Sequence, residues 1–294
     1  MSLLSQRTKW VLFLSDPEPE IRFMADLAFG VKCLEDAGVN NSDIFVYMDG
    51  QPAQVSGVLA LGSDHQYQIK TSDEFFTDSV NNTHENMVMF VTGHGSPHGI
   101  HGVVPITPNR LVSCIKNMPA LNNAIVYLGQ CYAGLFNYVN AGREGESADI
   151  IFVGATNLHE SLSLSTTEQF LHQPITWFAN VFLLHIFKWI SSPSDVDGDG
   201  RVTVMDSYKY AGVHSNISNK LFKTQCFSEM VDQHHEYKQL EAIASVSTGN
   251  PTIDMSNRID LQAAHEKYQH SLGTHYVHQE CWILNSRPAQ QIEF

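Results

Sequence analysis

Two short apolar runs in this chain each end in a reactive side chain. Residues 87–91 run into Thr92-Gly93-His94-Gly95, and residues 124–128 run into Gly129-Gln130-Cys131. A cysteine nucleophile needs a thiolate, a general base to form it, and donors for the developing oxyanion. Cys131 offers the thiol and is followed by the small, turn-permissive segment Tyr132-Ala133-Gly134. At the tip of a buried strand and close to the next helix's N-terminus, its thiolate is expected to be favoured. His94 offers the base. The glycines flanking it, Gly93 and Gly95, let the backbone turn sharply and bring amide N–H groups near a substrate. A cysteine at a strand end, or a histidine beside glycine, is commonplace singly; the pair carries the reading.

A second constellation lies in residues 195–206. Asp195, Asp197, Asp199, Arg201 through its carbonyl, Thr203 and Asp206 stand where an EF-hand loop places its oxygen ligands, with Gly200 at the turn position. The last ligand is Asp rather than Glu, as in dockerin-type loops. The spacing predicts a Ca²⁺ site, structural or regulatory. His94, His98 and His101 do not make a comparable case for zinc. Gly95, Pro97, Gly99 and Gly102 forbid a regular helix through them, and no carboxylate or cysteine lies alongside. His98 and His101 read as a rim loop.

Strand and helix signals that would position these groups alternate over the first 155 residues. Strands are expected at 9–15, 43–48, 87–91, 124–128 and 150–154, and helices at 18–37, 73–81 and 108–118, with Pro19 in the first turn of the first. Short apolar runs separated by helices predict a mostly parallel sheet covered on both faces, a three-layer αβα sandwich. In such sheets function gathers beyond the carboxyl ends of the strands, which puts His94 and Cys131 on one edge. Beyond residue 155 the pattern predicts a long apolar helix over 175–190 entered through Pro174, and a short helix from the Asp-rich loop to Ala211. Helical character returns at 234–242 and 261–268. The expected organisation is one domain over 1–213 that includes the Asp-rich loop, and a C-terminal extension over 214–294 packed on it.

Composition narrows the class. The chain has 294 residues, 43% hydrophobic and 16% charged, with a formal net charge of −14, an ordinary globular balance. That charge, without clustered Lys and Arg, opposes nucleic-acid binding. No apolar stretch approaches the roughly 20 residues that span a bilayer, and residues 10–14 are too short for a secretory core. Five scattered cysteines without metal spacing fit reduced thiols in a cytoplasmic setting.

The segments MVMFVTGHGSPHG and AIVYLGQCYAG, in that order, resemble the caspase–legumain–gingipain group of cysteine peptidases. Residues 21–26 with 34–39 are similar to the first helix of legumains, and Gly154-Ala155-Thr156-Asn157 with Glu160-Ser161 to their segment after the next strand. The resemblance implies a caspase–hemoglobinase fold. It also implies His94 as general acid/base, the N–H groups of Gly95 and Cys131 as the oxyanion hole, and Arg22, Gln130, Asn157 and Glu160 around the pocket for the residue before the cut. Legumains carry Glu-Ala before the cysteine where this chain has Gly129-Gln130, and an Asn that orients the histidine aligns near Glu20. Arg22 would select Asp or Asn; Asp149 and Glu160 would select Arg or Lys, and Asp or Asn is preferred. Partners would be peptide or protein substrates, with an activating partner or self-processing in view. The alternatives are a legumain-like transpeptidase or transamidase, and a non-catalytic calcium-binding module on the same fold.

Overall fold

Apolar strands whose side chains alternate between two cores form the centre of the molecule. The computed structural model describes residues 2–5, 7–145, 147–276 and 279–294. Its elements in chain order begin with β1 (Thr8–Leu14), α1 (Ile21–Asp36), β2 (Ile44–Met48), α2 (Pro52–Leu59), β3 (Ile69–Lys70), α3 (Ser72–Asp78) and β4 (Asn86–Thr92). There follow β5 (Gly95–Ser96), β6 (Gly99–Ile100), α4 (Pro108–Lys116), β7 (Asn123–Leu128) and β8 (Asp149–Gly154). The chain continues through β9 (Ser163–Gln169), β10 (Pro174–Asn180), α5 (Val181–Ser191), α6 (Val204–Ala244), α7 (Pro251–Tyr276), β11 (Trp282–Leu284) and α8 (Ser286–Ala289).

The main sheet runs β11-β8-β7-β4-β1-β2-β3, parallel throughout except for β11, which lies antiparallel to β8 at the edge. Side chains alternate across a strand with period two. Trp10, Leu12, Val88, Phe90, Ile125, Tyr127, Ile151 and Val153 enter one core, shared with α1 and α5. Val11, Phe13, Met87, Met89, Val126, Leu128, Ile150 and Phe152 enter the other, shared with α3 and α4. Because both faces are covered, the strands read as unbroken apolar runs. The expected three-layer αβα sandwich with a mostly parallel sheet is the architecture found.

The helix expected over 175–190 is corrected. Residues Pro174–Asn180 form β10, paired antiparallel with β9, and only Val181–Ser191 is helical. Ile175-Thr176-Trp177-Phe178 is β-branched and aromatic, and its burial alternates, as a half-covered hairpin strand requires. Pro174 fits because a strand's first residue can do without an N–H. The switch is made by Asn180, whose side chain accepts from Leu183 N at 3.0 Å and caps α5. Pro19, expected in the first turn of α1, lies before it, with Glu20 as the N-cap.

By contact the described chain divides into two units, Met1–Ser215 with Gln279–Phe294, and Asn216–His278. The segment expected as one extension over 214–294 is therefore two things: a helical hairpin, and a return strand and helix belonging to the first unit. In the hairpin, Tyr237 of α6 stacks on Tyr268 of α7 at 5.9 Å. The short helix expected to end at Ala211 is the start of α6, which runs on to Ala244. Among the described residues no helix is long and apolar enough to cross a membrane, and all five cysteines are free thiols.

Candidate active site

β4 and β7 are neighbours in register, Val91 beside Leu128, so the segments that follow them emerge side by side. Their approach is close. A methyl group on Gly95 would fall 1.9 Å from the carbonyl oxygen of Cys131 and 2.8 Å from Gln130 Cγ, so only glycine lets the two backbones meet here. Directly after Cys131, Tyr132 takes a left-handed conformation, φ 56°, unusual for a residue with a Cβ. Its N–H is held by the His159 carbonyl at 2.8 Å.

The Cys131 thiol is half-buried and accepts from the backbone N–H of Ser161 at 3.3 Å. Burial pushes its pKa above the ordinary thiol value and the Glu160 charge adds to this, while the Ser161 N–H and Arg22 act in the opposite sense. Burial thus works against the thiolate expected at this position. The chain directly after Cys131 is a short 3-10 segment, Ala133–Tyr138, rather than the α-helix expected there, and burial is the largest influence on the thiol.

His94 is 45% exposed at its side chain, and its Nε2 lies 2.7 Å from Glu20 Oε1. Glu20 is free to reach it because, as the N-cap of α1, it makes no side-chain cap of its own. Arg22 grips the same carboxylate, Nε to Oε2 at 2.7 Å and Nη2 to Oε1 at 3.2 Å, and reaches Ser163 Oγ with Nη1 at 3.2 Å. Arg22 first, and then His94, hold Glu20 below the usual carboxylate range. Phe23 backs the arrangement, its ring edge-on to His94 at 5.0 Å and under the Arg22 guanidinium at 4.0 Å. Among the described residues no hydrogen bond joins His94 to Cys131.

The other residues read from the sequence fall at different distances from this centre. Arg22 and Glu160 act electrostatically on the thiol from opposite signs. Asn157 packs against Gly134, whose N–H its carbonyl accepts at 3.1 Å, and its Oδ1 has no partner. Gln130, expected at the pocket wall, is 2% exposed, and neither polar atom of its amide is hydrogen-bonded. Asp149 is excluded from the pocket. It starts β8, at the edge of the sheet opposite to the one carrying Cys131, and pairs with Arg143 at 3.1 Å. His98 and His101 lie on the β5–β6 hairpin and its exit, His101 facing Asp16 at 3.4 Å.

Asp26, on α1, was not legible as a site residue. It is 3% exposed and its carboxylate accepts from Thr92 Oγ1 at 3.0 Å, Trp177 Nε1 at 2.9 Å and Asn180 N at 3.1 Å. Burial pushes its pKa up to about 7 from 3.8, against the pull of those donors. The folded chain therefore holds a proton that the unfolded chain releases. The stability this contributes is complete below the unfolded value of 3.8 and is lost as pH rises through about 7. Each pH unit in that window removes roughly 1.4 kcal/mol. Relative to Asp26→Asn, wild-type protein is expected to lose thermal stability between pH 5 and 7 and to run parallel to it above pH 8. Parallel curves throughout would overturn the assignment.

Among the described residues one acidic group is compact enough to hold a cation: Asp195, Asp197 and Asp199, each offering an oxygen within 4.8 Å of the others. The carboxylates organise the loop, Asp195 accepting from Gly198 N at 2.7 Å and Gly200 N at 2.8 Å, and Asp199 from Arg201 N at 2.8 Å. Lys209 pairs with Asp197. Asp206 is buried beneath the loop. It accepts from Val196 N at 2.8 Å, and from Thr203 N at 2.8 Å and Thr203 Oγ1 at 2.9 Å at the start of α6.

No family model matches the chain, and no curated protein matches it. Among solved structures, caspase-1 from Spodoptera frugiperda is similar to it with a TM-score of 0.45 and 11% identity, over 72% of this chain and 78% of that one.

Proposed function

We propose that this protein is a cysteine endopeptidase in which Cys131 is the nucleophile and His94 the proton carrier. The observation that supports this most is the contact of Gly95 with the Cys131 backbone, which sets the two reactive side chains on adjacent strand ends. Glu20 on Nε2 selects the tautomer with its proton there, leaving Nδ1 as the base. As Sγ bonds to the scissile carbonyl carbon, the thiol proton passes to His94, and the oxyanion takes N–H donors from Gly95 and Cys131. Collapse breaks the C–N bond, and His94 returns the proton to the departing amine. Water then attacks the thioester, giving one proton to His94, which restores the thiol.

Arg22 is the charged contact we assign to the residue before the cut, with Asp or Asn preferred, because a guanidinium can pair with the one and hydrogen-bond the other. Glu160 is the acid that would serve Arg or Lys instead. The test is a fluorogenic peptide library scanned at that residue, with and without an added amine, together with a thiol-directed acyl inhibitor. Cleavage after Asp or Asn is the expected result. Cleavage after Arg or Lys would move the pocket assignment to Glu160, and amide products with the added amine would make the chain a transamidase. If Cys131 neither turns over peptide nor captures the inhibitor, the enzymatic reading falls in favour of a non-catalytic module.

We also propose that Asp195, Asp197 and Asp199 bind calcium, with Arg201 through its carbonyl, and Thr203 and Asp206 completing the set. Three exposed carboxylates so close repel one another, and a divalent cation relieves that repulsion. Lys209 must give up Asp197 for this. At a hundred times its dissociation constant, calcium is expected to add about 2.7 kcal/mol, or about 5 °C of thermal midpoint. Asp195→Asn with Asp199→Asn is expected to remove that shift. A thermal scan showing the same midpoint in calcium and in chelator would refute the site.

A further inference from the structure

Asp26 does not act alone. Asn180, whose N–H it accepts, turns its own side chain toward the nucleophile. Asn180 Nδ2 donates to Gly129 O at 2.6 Å and to Ser161 Oγ at 3.2 Å, and Ser161 N donates to Cys131 Sγ at 3.3 Å. Gly129 stands two residues before Cys131, and Thr92, the third donor to Asp26, stands two residues before His94. One buried carboxylate and one buried amide thus tie the end of β4 to the end of β7. Thr92, Trp177 and Asn180, which face Asp26 from β4 and β10, are all neutral. Arg22, one turn earlier on α1, is the charged group that acts on it. An apolar side chain of similar size would be cheaper to bury, but would leave the three donors without acceptors.

We propose that Asp26 and Asn180 are positioning residues, forming a strut that sets the separation of His94 and Cys131 and holds the Ser161 N–H on the sulfur. This rests on the reading of Cys131 and His94 as the reacting pair. Neither strut residue touches the reacting atoms. Their effect passes through Thr92, Gly129 and Ser161. An N–H held on the sulfur favours the thiolate over the thiol, so the strut also biases how readily Cys131 ionises.

The test compares Asn180→Ser, Asp26→Asn and Asp26→Ala with wild type in the full chain. It reads kcat and KM on a cleaved peptide, the pH profile of Cys131 alkylation by iodoacetamide, and the thermal midpoint. Serine at 180 keeps an oxygen to cap α5 but is too short to reach Gly129 O. We expect kcat to fall roughly 10²-fold, as a misplacement of about 1 Å does, with KM within about twofold. The alkylation midpoint should move to higher pH as the Ser161 N–H leaves the sulfur. Asparagine at 26 can still accept from Trp177 and Asn180 and donate to Thr92, so Asp26→Asn should recover most of the activity that Asp26→Ala loses.

Unchanged kcat and an unchanged alkylation profile in both Asn180→Ser and Asp26→Ala would overturn the strut. So would losses that only follow the fraction of unfolded protein. Should wild type neither turn over peptide nor capture the acyl inhibitor, the reading of the pair fails, while the alkylation profile still decides on the strut.

Discussion

Cys131→Ala is expected to lower peptide hydrolysis by on the order of 10⁴-fold or more, with a thermal midpoint close to that of wild type. The thiol is half-buried and small, and its hydrogen bond from Ser161 N joins it to a single loop N–H, so truncation removes little packing. Its chemistry is another matter. Without sulfur no acyl-enzyme forms, and what remains is whatever the oxyanion donors and substrate binding contribute on their own. His94→Ala should cost a comparable amount, because burial favours the protonated form of Cys131 and the proton must be carried off as the sulfur attacks. The decisive measurement is the double variant. Groups that act as a unit are not additive, so Cys131→Ala with His94→Ala should be no slower than the worse single variant. Multiplicative losses, or turnover by Cys131→Ala within tenfold of wild type, would show that the pair does not work as assigned.

Gly95→Ala should also damage activity strongly, though less than loss of the thiol, and by a different route. The added methyl carbon meets Cys131 O at 1.9 Å and Cys131 C at 2.8 Å, and both are backbone atoms that cannot rotate away. Ordinary overpacking costs about 1–3 kcal/mol, and a clash with main chain belongs at or above the top of that range. To relieve it, the ends of β4 and β7 must separate, which moves His94 from Cys131 and displaces an oxyanion donor. A loss of roughly 10²-fold or more in kcat should accompany the drop in midpoint. Gly57→Ala is the control. It lies inside α2 with nothing within 4 Å of the new methyl, and alanine there should stabilise the chain by about 0.5–1 kcal/mol. If Gly95→Ala unfolds no more easily than wild type and retains its activity, the close approach is not what holds the site together.

How far the sequence could carry the fold is clearest at the strands. β1, β4, β7 and β8 are continuous apolar runs bounded by polar or glycine residues, a local signal that needs no knowledge of their partners. The same reasoning failed over 175–190 because an apolar run without a clear period does not say whether it is strand or helix. The answer lay in β9, a Ser- and Thr-rich partner with no strong pattern of its own. The extent of α6 was hidden for a related reason: its later part is polar on most sides, so the apolar stripe that marks a packed helix is missing.

At the site, residue type and strand-end position marked His94, Gly95 and Cys131, and spacing marked Asp195, Asp197 and Asp199, because local sequence encodes both signals. What the sequence could not carry are contacts between residues far apart in the chain. Glu20 reaches His94 across 74 positions, Asp26 meets Trp177 across 151, and Asn180 meets Gly129 across 51. Nor could it carry the protonation of Cys131 or Asp26, since each is set by how much water the fold removes from the group. Chemical identity and secondary structure are largely properties of a short stretch of chain. Orientation, ionisation and the choice of which carboxylate faces which base arise only when the sheet brings distant stretches into contact.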